Sequence, residues 1–316
     1  MTIQTTTAAQ RKIELPAGAS FITDGGLETT LVFHDGIDLP DFAAFPLLDT
    51  EEGRVALANY YEPYFRVAER DHVGFVADTP TWRASADWGS RLGYDSEELA
   101  ALNQRAVEFV RQLGEKSTAT TLLNGVVGPR GDGYVVGEAM TSAEAARYHG
   151  PQVRAFADAG VDLVTAVTLT YVDEAIGIVQ AARSAEVPVA ISFTVETDGS
   201  LPSGVPLSEA IRLVDDATES GASYFMVNCA HPSHFAHVID GDDAWVRRIK
   251  AIRANASEMS HEELDNADEL DRGDPTALAA DYVRLQELLP ELRVVGGCCG
   301  TDPEHISAIS TALHGG

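Results

Sequence analysis

Residues 161–193 read VDLVTAVTLTYVDEAIGIVQAARSAEVPVAISF. An apolar, β-branched run at 161–168 gives way to helical spacing over 173–185, and a second apolar run follows at 187–193. Two short runs with few polar residues, joined by a helix-length segment, predict a βαβ unit whose parallel strands are covered on both faces. The same alternation recurs in both directions from this unit. Further β runs are predicted at 20–24, 73–78, 121–127, 224–228, 246–252 and 292–295, most of them bounded by Gly, Pro, Asn or Asp. Helices are predicted at 52–68, 96–113, 142–159, 207–220, 276–288 and 303–313. Thr141, Asp173-Glu174 and Thr301-Asp302-Pro303 supply start signals. The connection around 234–245 is the least regular. Eight β runs alternating with helices predict an α/β protein, a single (β/α)8 TIM barrel, with an open doubly wound sheet as the rival. The expected division is an N-terminal extension, 1–19, and one barrel, 20–316.

The chain has 316 residues, 45% hydrophobic and 22% charged, a composition that excludes disorder as the dominant state. Its 49 acids and 22 bases give a formal charge of −27, which excludes a nucleic-acid surface and an acidic-lipid surface as partners. No apolar run reaches the ~18 residues of a membrane span, and the first dozen residues lack a signal-peptide core. The expectation is a cytoplasmic protein with reduced cysteines and no membrane partner. One segment, 257–274, holds eight of the acids and one arginine. It follows the seventh β run, on the catalytic face of a barrel. A solvated excursion is the preferred reading and a mobile lid the alternative.

The three cysteines stand at strand ends. Cys229 closes the sixth run in MVNCA (226–230), and Cys298 and Cys299 close the eighth in VVGGCCG (294–300). In a barrel, strands six and eight deliver these residues to one mouth. Three thiolates there can hold one Zn²⁺ and leave the fourth tetrahedral position open, the pattern of a catalytic zinc. The adjacent glycines are expected to let the backbone turn tightly enough for both neighbouring cysteines to reach one ion. The competing readings are small buried hydrophobes and a vicinal Cys298–Cys299 disulfide. His231, His234 and His237 follow Cys229 at spacings of three, either as further ligands or as exposed side chains.

The stretch GGCCGTDPEHI (296–306), the Asn228-Cys229 pair and Asp24-Gly25-Gly26 resemble the homocysteine S-methyltransferase (homocysteine-binding domain) family. So do TPTWRAS (79–85), GVVGPRG (125–131), SFT (192–194) and LPSGVPL (201–207), and the likeness runs in consistent order over 20–314. The resemblance implies a (β/α)8 barrel with Zn²⁺ held by Cys229, Cys298 and Cys299 at the C-terminal face of the strands. It implies methyl transfer from a sulfonium or ammonium donor to a thiol, homocysteine by default, giving methionine. It places Asp24, with the backbone of Gly25 and Gly26, at the amino-acid acceptor, and Thr79 and Asn228 in the same pocket. Trp82, Trp88, Tyr134 and Tyr171 are candidates to face the cationic donor. Arg83 would repel that donor unless it grips a carboxylate on the same molecule. One position departs from the family pattern: Val167 falls where a glutamate usually meets the acceptor's ammonium, and Glu174, seven residues on, is expected on a helix surface. The alternatives are therefore a thiol without a free amino group, demethylation of a sulfonium compound, or a non-catalytic zinc-containing ligand-binding barrel. The oligomeric state is left open, a homo-oligomer included.

Overall fold

The computed structural model describes residues 11–15, 18–240, 243–266 and 269–315. Eight parallel strands close into a barrel in sequence order: β1 (Phe21–Ile22), β2 (Gly74–Asp78), β3 (Thr121–Val127), β4 (Leu163–Leu169), β5 (Val189–Phe193), β6 (Phe225–Asn228), β7 (Ile249–Ala254) and β8 (Val294–Gly297). The ring is sealed by β1 pairing with β8, Phe21 opposite Val294. The open doubly wound sheet is thereby excluded.

Seven longer helices surround the ring: α1 (Glu51–Asp71), α2 (Ser96–Gly114), α3 (Ser142–Asp158), α4 (Val172–Ser184), α5 (Leu207–Thr218), α6 (Pro275–Leu288) and α7 (Pro303–His314). Their starts follow local chemistry. Thr141 and Asp302 each accept from backbone N–H groups of the first turn, as expected of N-caps, and each shares a capping box with the side chain three residues on. α4 differs: Tyr171 is its N-cap without a side-chain bond, and Asp173 and Glu174 sit inside the first turn. Among the described residues, the irregular connection after β6 holds the four-residue helix Pro232–Phe235 and short 3-10 turns.

The strands alternate between two apolar layers, as a sheet of period two must. Phe21, Val76, Val126, Leu163, Val167, Tyr224, Met226 and Val294 fill the barrel interior, and Ile13, Leu15 and Ala19 pack against that layer. The outward residues, including Phe75, Val127, Val164 and Ile191, pack among the buried faces of the helices. Of the expected extension, residues 1–10, 16 and 17 lie outside the described residues. No helix among the described residues is long and apolar enough to cross a membrane.

Two strands end two residues beyond the predicted apolar runs, β8 at Gly297 rather than Val295 and β7 at Ala254 rather than Ile252. Residues 246–248 form a 3-10 turn, and β7 runs from Ile249 to Ala254. The strand therefore ends two residues beyond the apolar run, and this carries Arg253 to the C-terminal mouth.

Candidate metal and substrate site

Every strand points its C-terminal end at one face, where a cavity of about 470 Å³ opens. Asp24, Gly25, Gly26, Thr79, Asn228, Cys229, Cys298 and Cys299 all line it. All eight residues nominated from the sequence are thus brought together.

The sulfurs of Cys229, Cys298 and Cys299 lie within 4.8 Å of one another, the one such group of metal-ligating side chains among the described residues. Cys229 and Cys298 are joined as a disulfide with Cα atoms 5.4 Å apart, and Cys299 is a free thiol 3.9 Å from the Cys229 sulfur. The bridge seen therefore joins the two strand ends, and the vicinal Cys298–Cys299 bridge is not formed. The donor set still fits a zinc ion: Zn–S bonds of ~2.3 Å in a tetrahedron set sulfurs about 3.8 Å apart, the spacing of Cys229 and Cys299. A disulfide withdraws two thiolates, so only the reduced triad can bind metal.

The backbone at these positions is held tightly. Cys229 and Thr168 have φ values of 53° and 61°, in the left-handed region that a β-branched residue such as Thr168 rarely enters. The Asn228 side chain spans the gap: Oδ1 accepts from the Thr168 backbone N–H (2.8 Å) and from Ser192 Oγ (2.5 Å), while Nδ2 donates to Thr168 Oγ1 (2.8 Å) and faces the Cys298 sulfur at 3.9 Å. Asn228 therefore fixes the walls of the sulfur cluster.

The glycines before Cys298 have a different role from the expected one. A Cβ on Gly296 would meet Thr23 and one on Gly297 would meet Thr301, so both allow close packing, whereas Gly300, with φ of 78°, makes the left-handed turn. Gly26 is equally confined, since a Cβ there would press on Thr29 Oγ1 and stand 2.6 Å from the Cys298 carbonyl oxygen. Gly26→Ala is expected to push the Cys298 segment out of place. Zinc affinity in a chelator competition should fall tenfold or more, with about 1–3 kcal/mol lost in urea unfolding.

Sequence reasoning overlooked the residue at the centre of the floor. Arg253, with a side chain only 12% exposed, donates to Asp24 Oδ1 (2.6 Å), to Asp78 Oδ2, and to the carbonyls of Gly25 (3.1 Å) and Gly297 (2.9 Å). Its own carbonyl accepts from the Cys229 N–H at 3.1 Å. Burial pushes Asp24 up to about 7 against the opposing pull of Arg253, and it raises Asp78 as well. The available signal was an arginine directly after an apolar strand, a position that faces the mouth in a barrel. Asp78, the last residue of the second β run, carried the same signal.

Thr79 Oγ1 is already engaged with Thr81 Oγ1 (2.6 Å) and the Val126 N–H (2.9 Å), so it ties β2 to β3. Val167 lines the cavity as an apolar wall. Glu174 is corrected: it is buried, bonded to His149 Nε2 (2.9 Å) and the Arg130 N–H (2.8 Å), and it lies off the main cavity. His231 and His234 turn to Ser233 and to the Glu258 carbonyl, and neither they nor His237 join the sulfur cluster. Of the four aromatic candidates, Trp82 and Tyr134 line the cavity, whereas Trp88 and Tyr171 do not. Tyr134 places its hydroxyl 3.7 Å from the Cys299 sulfur. Arg83 lies over the rings of Trp82 and Trp88, 4.7 and 4.0 Å from their centroids.

The acidic segment takes part in the wall: Leu264, Glu269, Leu270 and Asp271 line the cavity. His261 anchors it, with Nε2 2.9 Å from the Cys229 carbonyl and its ring stacked on Tyr134 at 4.1 Å. Residues 267 and 268 of the segment lie outside the described residues.

Glu28 is the other unusual acid of this wall, pushed up to about 7 by burial. Its folded pKa exceeds the ordinary 4.5, so the folded state binds the extra proton between these values and loses stability as pH rises through about 7. Glu28→Gln should raise the melting temperature at pH 8 by a few degrees and leave it nearly unchanged at pH 4.5, read by scanning calorimetry.

The sequence profile of the family described as homocysteine S-methyltransferase matches residues 21–313. The homocysteine S-methyltransferase of Escherichia coli (strain K12) is 27% identical, over 91% of this chain and 93% of its own length. Betaine–homocysteine S-methyltransferase 1 of Bos taurus is 26% identical over 75% of this chain, which spans 60% of that relative. Among solved structures, the oxidised form of the homocysteine methyltransferase MmuM from Escherichia coli superposes with a TM-score of 0.73 at 21% identity, covering 92% of this chain and 95% of that one. Its metallated form gives 0.71 at 22% identity, over 92% and 96%. The profile match spans the whole barrel, from β1 to α7, so the chain belongs to the homocysteine S-methyltransferase family.

Proposed function

We propose that this protein is a zinc-dependent S-methyltransferase that moves a methyl group from a small cationic donor to a thiol. The observation that carries the reading is the convergence of Cys229, Cys298 and Cys299 at the mouth of a barrel, beside a cavity of small-molecule size. Reduced Cys229, Cys298 and Cys299 would hold the ion. When bound, Zn²⁺ supplies a Lewis acid that lowers the pKa of an acceptor thiol. The homocysteine named in the relatives' titles is the default acceptor.

The chain's own residues supply position. Asn228 and the strained Thr168 and Cys229 backbones fix the thiol cluster. Leu264, Leu270, Trp82 and Val167 give apolar walls that exclude water from the transfer path. In the reaction a new S–CH₃ bond forms as the donor's S–CH₃ or N–CH₃ bond breaks. The leaving thioether or amine keeps the electron pair, and the thiol proton goes to solvent. Bringing two small molecules into line accounts for much of the gain in rate.

Arg83 restricts the donor. Its guanidinium covers Trp82, one of the two aromatic side chains lining the cavity, and its buried Nε has no acceptor among the described residues. A zwitterion with a methylated cationic centre and a carboxylate suits this arrangement, as do the betaine and S-methylmethionine named for relatives. The direct test incubates reduced, zinc-loaded protein with each donor and a thiol, following the methylated product by mass spectrometry. Product with one of these donors supports the reading; no product with any sulfonium or ammonium donor contradicts it.

A further inference from the structure

Among the described residues, six acids and two arginines line the cavity, so the mouth carries an excess of negative charge. Five of the acids are engaged or open to water. Asp24 and Asp78 share Arg253, and their other oxygens accept from Tyr60 (3.0 Å) and Asn124 (2.6 Å). Asp132, Glu269 and Asp271 are exposed. Glu28 differs from all of these. It is partly buried and has no ion-pair partner within 4 Å among the described residues, and its carboxylate is held by its own backbone N–H. The turn that carries it is fastened to the segment that carries two of the sulfurs. The Gly26 N–H donates to the Thr301 carbonyl (3.0 Å), and the Gly300 N–H donates to Thr29 Oγ1 (3.3 Å). The charge of Glu28 is felt at the Cys299 thiol. Glu28 thus presents an unpaired carboxylate to the space beside the three sulfurs.

In the empty site such a carboxylate is poorly placed, and burial raises its proton affinity. A cation entering the same space reverses this. An ammonium that leaves water needs a counter-charge, and charge-assisted hydrogen bonds to a free carboxylate supply one. The neighbouring wall offers less, since Val126 and Val167 are apolar and the floor carboxylates already hold a guanidinium. We propose that Glu28 receives the ammonium group of the acceptor and makes the site selective for a thiol that carries one. This rests on reading the site as a thiol methyltransferase and assigns its acceptor specificity to a residue. The ammonium takes no part in the transfer, so the balance given above holds. The methyl passes from the donor heteroatom to the acceptor sulfur, and the thiol proton is released.

The test uses two thiols that differ only in the amino group, homocysteine and 4-mercaptobutyrate. Titration calorimetry without donor measures their binding to the reduced, zinc-loaded protein, and product formation is then followed with S-methylmethionine as donor. The wild type should bind homocysteine at least tenfold more tightly than 4-mercaptobutyrate. Glu28→Gln keeps the shape and removes the charge, and it should lower that ratio at least tenfold, with kcat/KM following. Glu28→Ala is the second variant should the first fail to fold. A merely structural role would weaken both thiols together and leave the ratio in place. Equal binding of the two thiols by the wild type, or a wild-type ratio in the variants, overturns the inference and leaves the methyltransferase reading intact. A preference for homocysteine that depends on Glu28, with no methylation of either thiol, overturns the methyltransferase reading alone. Failure of both thiols to bind overturns both.

Discussion

Cys298→Ser should lose methyl transfer by a factor of 10³ or more and bind less than a tenth of the zinc of the wild type. Cys298 contributes one of three sulfurs within 4.8 Å, and the substitution replaces a soft thiolate donor with a hydroxyl that remains protonated at neutral pH. A two-thiolate remnant keeps neither the geometry nor the affinity of three. The side chain is small and close in volume to serine, and it stands at the cavity wall, so the fold should survive. Metal analysis by mass spectrometry and turnover on the same preparation separate the two effects. A variant that retained full zinc and lost only activity would move Cys298 from metal ligand to another role.

Arg253→Met should be the most destabilising single change in the site. The substitution leaves Asp24 and Asp78 facing each other, both buried, with no counter-ion. Removing one partner of such a buried pair costs about 3–5 kcal/mol. The effect depends on pH with a definite sign. Asp24 already titrates near 7 in the fold, above its ordinary 3.8, with Arg253 pulling it down and Asp78 pushing it up. Without the guanidinium, both carboxyls rise further. Between about 4 and that higher value the folded state holds more protons than the unfolded one, so stability falls as pH rises. Urea unfolding should therefore show a larger deficit at pH 8 than at pH 5. A deficit that did not vary with pH would mean that the two acids are not the source of the loss.

The architecture was legible because it is local. Most strands are short apolar runs closed by a turn residue, and helix starts such as Thr141 and Asp302 carry their own capping groups. Placing cysteines at the ends of the sixth and eighth runs needed only that pattern plus the geometry of a closed barrel. The family resemblance added Asp24 and its two glycines, and these line the cavity with the sulfurs.

What stayed hidden involves partners distant in sequence. Arg253 meets Asp24 across 229 positions and Asp78 across 175, and no periodicity records such a pairing. The apolar run also stops at Ile252, whereas hydrogen bonding to β6 and β8 carries the strand through Arg253 to Ala254. Tertiary pairing thus extended the strand past its own hydrophobic signal. Glu174 failed differently. Its position in the first turn of α4 suggested solvent, but His149 of α3 packs over it and turns it into a buried partner. The acidic segment was read mainly by its charge. Its two leucines and His261 seat it at the mouth, and Glu269 and Asp271 line the cavity beside them.

Three cysteines from two strand ends are expected to form one zinc centre. X-ray absorption at the zinc edge, on fully reduced and zinc-loaded protein, tests it most directly. One zinc per chain with three sulfur neighbours at about 2.3 Å is the expected result. A zinc surrounded only by nitrogen and oxygen, or reduced protein that takes up no zinc, would contradict it.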